Sequence, residues 1–191
     1  MKYLTVIRHA KSSWNHPGLA DHDRPLNDRG RRAAPAIAHF LHHTYLGGHG
    51  GQPLLPFPDH LLSSTAVRAL TTAQIVREEL GLPPDALRLS QRLYLAPESE
   101  LLRAIQELQN GWQHVVIFGH NPGLHDFINR LLARGSITRF PTCAATILAL
   151  PIDAWSRAEW NQAQLVGQIT PRLLQRRFPD RYPDISAADG E

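Results

Sequence analysis

Arg8 and His9 stand together behind a short apolar run, Tyr3-Leu4-Thr5-Val6-Ile7, with Ser12 and Asn15 following closely. A neutral imidazole is a nucleophile that can carry a covalent intermediate. Neighbouring cations disfavour the imidazolium and so keep the ring available for attack. A guanidinium beside it presents a planar fork to two anionic oxygens. The pair therefore suits transfer of a phosphoryl group. Taken singly, an Arg-His pair is more often a surface feature.

Two further segments carry matching chemistry. Ser63-Ser64-Thr65-Ala66-Val67-Arg68-Ala69 reads as a strand end and the opening of a helix, with Ser64 or Thr65 as its cap and Arg68 in the first turn. A helix N-terminus itself favours an anion. Gly119-His120-Asn121-Pro122-Gly123 is a compact turn between a strand and a proline-started helix. In its cationic form His120 would bind a phosphoryl oxygen. Each segment alone has an ordinary structural explanation, a capped amphipathic helix or a turn histidine.

The elements that must bring these residues together follow from periodicity. Strands are expected at Tyr3–Ile7, His60–Ser63, His114–Phe118, Ala144–Leu150 and Gln164–Ile169, with a weaker extended stretch over 87–95. Helices are expected over 28–45, capped by Asn27 and kinked or delayed by Pro35, over 66–80, over 98–109, and after Pro122. Residues 10–26 read as a loop, and Gly47 to Pro58 as a flexible connection that could cover a pocket. Strands alternating with helices predict a three-layer α/β/α sandwich with a mostly parallel central sheet. In such sheets ligands bind beyond the carboxyl ends of the strands. His9, Arg68 and His120 each follow a strand, so all can converge there. A single domain is expected over 1–175, with 176–191 a loosely held tail.

Together the three segments resemble the histidine phosphatase superfamily, with its phosphoglycerate mutase-like fold. The Arg-His-Gly signature of that family stands here as Arg8-His9-Ala10, with Ser12 and Asn15 in matching positions. Ser64 to Ala73 matches its Ser-x-x-x-Arg-Ala-x-x-Thr-Ala segment, and Gly119 to Asn121 its late Gly-His-Asn turn. Within the superfamily the resemblance narrows to small phosphohistidine phosphatases of the SixA type. It rests on Arg-His-Ala-Lys-Ser, on Asp23-Arg24-Pro25-Leu26 before Gly30, and on Leu93-Tyr94. The resemblance implies that His9 attacks phosphorus while Arg8, Arg68 and His120 stabilise its oxygens, with Ser12, Asn15 and Asn121 binding substrate. The implied partner is a phosphorylated protein, such as a histidine phosphotransfer domain, or a small phosphate ester. A small-metabolite phosphatase, a phosphoglycerate mutase-like enzyme and a non-catalytic phospho-ligand module are the alternatives. The short span from Arg68 to His120 leaves little chain for a cap.

Relatives place a general acid, usually a Glu, after the third strand. Glu98 is the first choice here, with Glu100, Asp21 and Asp23 as alternatives. A phosphohistidine substrate leaves as imidazole and needs less help from an acid. The mechanism calls for no cofactor and no metal. His39, His42 and His43 share a predicted helix without a carboxylate or Cys partner, and read as a solvated face. The 20 Lys and Arg residues and 17 Asp and Glu residues are scattered without runs, which argues against a nucleic-acid footprint. Apolar runs are too short for a signal sequence or a membrane span, and the lone Cys143 reads as a buried thiol. A cytoplasmic location is the expectation.

Overall fold

The computed structural model describes residues 1–187. Its sheet has six strands: β1 (Lys2–Arg8), β2 (His60–Ser64), β3 (Leu87–Ser90), β4 (His114–Gly119), β5 (Ala145–Leu150) and β6 (Gln164–Ile169). They lie in the order β3-β2-β4-β1-β5-β6. The first four are mutually parallel, β5 runs antiparallel to β1, and β6 antiparallel to β5.

Period-two alternation explains the layers. In β1, Leu4 and Val6 face one apolar cluster and Ile7 the other; in β4, Val115 and Ile117 part company with Val116 and Phe118 in the same way. A strand that is apolar on both faces must be covered on both. Helices α1 (Asp28–Tyr45), α2 (Val67–Glu79) and α5 (Pro171–Arg177) supply one cover, α3 (Glu98–Gln106) and α4 (Gly123–Leu131) the other. The α/β/α sandwich is therefore the one expected.

Several local expectations need correction. Helix α1 starts at Asp28, with the Asn27 side-chain Oδ1 accepting from Gly30 N–H at 2.9 Å, and runs unbroken through Pro35. Ser64 and Thr65 do not cap α2: Ala66 occupies that place. The connection after α1 is packed, with Leu55 buried and the Pro56 carbonyl bonded to His114 at the start of β4. It lies at the opposite end of β4 from His120. The expected loose tail is also packed, because Tyr182 and Ile185 bury their side chains against the α1 layer, and Gln175 accepts from the Ile185 and Ser186 amides. The last of that tail, 188–191, lies outside the described residues.

Parallel register brings three strand exits together. Arg8 pairs with Gly119, and Ser63 with Phe118. His9, Ser64 and His120 thus emerge side by side at one edge.

Candidate active site

His9 is held from three directions. Its amide donates to Gly119 O at 3.1 Å, and its carbonyl accepts from Cys143 N–H at 3.0 Å. Cys143 also reaches the Arg8 carbonyl, at 3.1 Å, from a left-handed backbone (φ 61°). The next residue, Ala10, donates to Thr72 Oγ1 at 2.9 Å, and Thr72 in turn donates to Arg68 O on α2. Ala10 is fully buried and is not among the positive-φ residues, so Ala in place of Gly causes no strain. Burial pushes the Cys143 thiol up to about 12, which leaves it inert.

The imidazole itself is fixed in one tautomer. His9 Nδ1 lies 2.7 Å from Ala10 O. A carbonyl only accepts, so Nδ1 carries the proton and Nε2 the bare lone pair. Burial, helped by His120, Arg8 and Arg68, brings its pKa down to about 3. The ring is neutral and nucleophilic at neutral pH.

His120 faces it, with ring centroids 5.3 Å apart. Its Nε2 lies 2.8 Å from Ser64 Oγ, which also accepts from Ala66 N–H at 3.2 Å. Its Nδ1 is buried without a hydrogen-bond partner among the described residues. Burial first, then Arg68, lowers its pKa to about 4. The expected cationic His120 is thus a neutral ring in the protein's own field. A phosphoryl dianion beside it would favour the proton and convert it to a charged donor.

Arg68 is 3% exposed and far from an ordinary surface helix arginine. Its Nη1 donates to Asp21 O at 2.7 Å and its Nη2 to Asp21 Oδ2 at 2.9 Å, while its Nε is buried without a partner. Arg8 Nη1 and Asn121 Nδ2 share the Phe140 carbonyl, at 3.2 and 2.7 Å. The Asn121 amide oxygen is buried and, among the described residues, unsatisfied. Buried polar atoms normally find partners. Orphans from three residues around one histidine pair suit a bound polar group.

A cavity of about 220 Å³ opens onto Arg8, His9, Arg68, His120, Ser12 and Asn121. Ser12 Oγ accepts from Arg24 Nη1 at 2.8 Å. The structure does not bring the other expected residues to it. Asn15 is exposed and outside the cavity lining. Glu98 pairs with Arg130 on α4 at 3.3 Å, and Glu100 with Arg92 and Arg103 at 3.0 Å each. Asp23 pairs with His22 at 3.2 Å. Asp21 comes nearest, but Tyr94 first, then Arg68 and Arg24, hold its carboxyl well below the usual carboxylate range. It is an ionised clamp on Arg68 rather than a proton donor. Among the described residues, no carboxylate lines the cavity.

Residue reasoning passed over Arg24, Trp14 and Leu95. Arg24 is buried, bonds Ser12 and Ser13, and lies 3.5 Å beneath the Trp14 ring, which is 75% exposed at the cavity mouth. Leu95 borders the mouth from a left-handed backbone (φ 50°). The Asp-Arg-Pro sequence at 23–25 was the available signal for Arg24; nothing in the local sequence marks the other two. Among the described residues, no three His, Cys, Asp or Glu side chains converge as metal ligands.

Comparison with known proteins bears on the family and the fold. Residues 4–89 match the profile of the histidine phosphatase superfamily (branch 1). An uncharacterised protein of Mycobacterium tuberculosis (strain H37Rv) is 30% identical over 175 residues, covering 87% of this chain and 100% of the relative. A protein from Agrobacterium tumefaciens, solved as a candidate SixA phosphohistidine phosphatase, is 26% identical. It superposes with a TM-score of 0.67 over 89% of this chain and 98% of that one. A mycobacterial glucosyl-3-phosphoglycerate phosphatase shares the fold at 18% identity, with a TM-score of 0.59 over 86% and 97% of the two chains.

Proposed function

The chain belongs to the histidine phosphatase superfamily, and from that premise we propose that it removes phosphoryl groups from protein-borne phosphohistidine through a covalent intermediate on His9. The observation that carries the mechanism is the His9 Nδ1–Ala10 bond. It leaves Nε2 bare and directs it into a cavity shared with Arg8, Arg68 and His120.

Nε2 attacks phosphorus in line; the P–N bond to the substrate ring, whose other nitrogen carries a proton, breaks as the new P–N bond forms, so that the substrate histidine departs as neutral imidazole. Arg8 and Arg68 hold the equatorial oxygens. The gathering negative charge raises the affinity of His120 for a proton, and its Nδ1 then donates to phosphoryl oxygen. Water displaces His9 Nε2 and both its protons leave with orthophosphate, returning the neutral ring. Positioning and electrostatics account for most of the acceleration in phosphoryl transfer.

Two features support a protein substrate. The cavity lining offers no carboxylic acid to protonate an alkoxide, whereas imidazole is a good leaving group. The mouth is open: residues 47–58 pack at the far end of β4, and the exposed Trp14 and Leu95 present apolar surface beside it. Exposed apolar residues at a cleft mark interaction surfaces. The test compares kcat/KM for a phosphohistidine protein, a phosphoserine peptide and several sugar phosphates. The expected order puts the phosphohistidine protein first. A clear preference for a sugar phosphate would overturn the substrate assignment and leave the nucleophile standing.

A further inference from the structure

A second cavity, of about 470 Å³, adjoins the first and shares Arg8, Lys11 and Thr142 with it. Its outer wall is His125, Thr138 and Arg139. Among the described residues, neither cavity is lined by an Asp or Glu, although the chain has 17 of them. Clefts lined by one sign of charge focus the field and draw in the opposite sign.

The loop that presents Arg139 is firmly built. Ile137 is bonded through both amide and carbonyl to Asn129, and its carbonyl also accepts from His125 Nε2 at 2.9 Å. The Arg139 carbonyl accepts from Gln168 on β6 at 2.9 Å, and the next carbonyl, Phe140, holds Arg8 and Asn121. The exposed Arg139 side chain thus stands on a loop fixed to the phosphoryl site itself. It lines the second cavity and not the phosphoryl cavity.

We propose that this second cavity seats an Asp or Glu side chain of the phosphoprotein, and that the enzyme therefore selects phosphorylated residues in acidic surroundings. The inference rests on the proposed protein substrate. Arg139 supplies the outer contact to the carboxylate, while the shared Arg8–Lys11 wall keeps the potential continuous with the phosphoryl group next to it. A rim charge of this kind acts on encounter and ground-state binding, and weakens with salt.

The test uses four peptides of one length. Two carry phosphohistidine and two phosphoserine; in each pair one member has Asp and Glu flanking the phosphorylated residue and the other Asn and Gln. The wild type is expected to prefer the acidic member of each pair by about tenfold in kcat/KM at low salt, through KM. In Arg139→Gln the acidic-to-neutral ratio should collapse toward one, and in Arg139→Lys it should largely survive. Equal rates within each pair, or a preference that persists in Arg139→Gln, would overturn the proposal. The ratio between the phosphohistidine and phosphoserine pairs reports separately on the substrate assignment. A failure there is thus distinguishable from a failure of the acidic subsite.

Discussion

At the scale of single residues, the side chains that gather around one cavity were legible and their states were not. Arg8, His9, Arg68 and His120 stand in segments whose spacing marks them. The neutral form of His120 depends on burial, which no short segment encodes. The same holds for Asp21: one of four carboxylate candidates in the sequence, it is distinguished only by long-range bonds from Arg68 and from Tyr94, whose hydroxyl donates to Asp21 Oδ2 at 2.6 Å. Glu98 was the natural reading of a carboxylate after the third strand, yet its helix turns it toward Arg130. In the proposed mechanism Asp21 acts through Arg68, to which it is bonded, and is a positioning residue. Asp21→Asn should lower kcat/KM by roughly 10- to 100-fold, the scale of a misplaced transition-state contact. Stability should change far less, because the carboxylate is partly exposed. If Asp21 were instead the general acid, the variant would lose the alkaline limb of the pH–rate profile, where the acid deprotonates; the clamp role leaves that profile in place.

Among the elements, length and periodicity decided what could be read. Helix α1 and strands β4 and β6 fall within a residue of their expected bounds, because each has an unambiguous period or cap. Helix α5 escaped notice, being seven residues long and opening on Pro171. The antiparallel direction of β5 was equally hidden, since an apolar strand looks the same either way. One contact between elements places the reactive loop. A Cβ added to Gly30 would strike the Lys11 carbonyl, the same group that accepts from Asn27 N–H at 2.9 Å. Only glycine lets α1 approach this closely. Gly30→Ala should therefore cost about 1–3 kcal/mol by overpacking, despite the better helix propensity of alanine. Thermal unfolding would register that loss. A Tm equal to or above wild type would show that the loop gives way without cost.

Over the whole molecule, burial of neutral histidines sets the response to acid. His9 is held down to about 3, and His60, His114 and His120 to about 4, in every case first by burial. In the unfolded chain each returns to its usual 6.5. Below that value the unfolded state binds protons that the fold excludes. Stability is therefore complete above pH 6.5 and lost as pH falls toward 4, by about 1.4 kcal/mol per pH unit for each proton fully excluded. In buffer free of phosphate, Tm should drop steeply between pH 6.5 and 4. The double variant His9→Asn, His120→Asn should show a shallower slope. A flat wild-type Tm across that range would contradict the buried neutral histidines. The overall architecture was legible because alternating strands and helices admit few arrangements, whereas the packing of residues 178–187 depends on single contacts such as Tyr182 against α1.

The central claim is that phosphorus passes through Nε2 of His9. Rapid quenching of the enzyme with a ³²P-labelled phosphohistidine protein, followed by peptide mapping, tests it directly. The account predicts one acid-labile, base-stable label on the peptide containing His9, assigned to Nε2 by NMR, and neither label nor turnover in His9→Ala. Turnover by His9→Ala, or a transient label on His120 or any other residue, would contradict it.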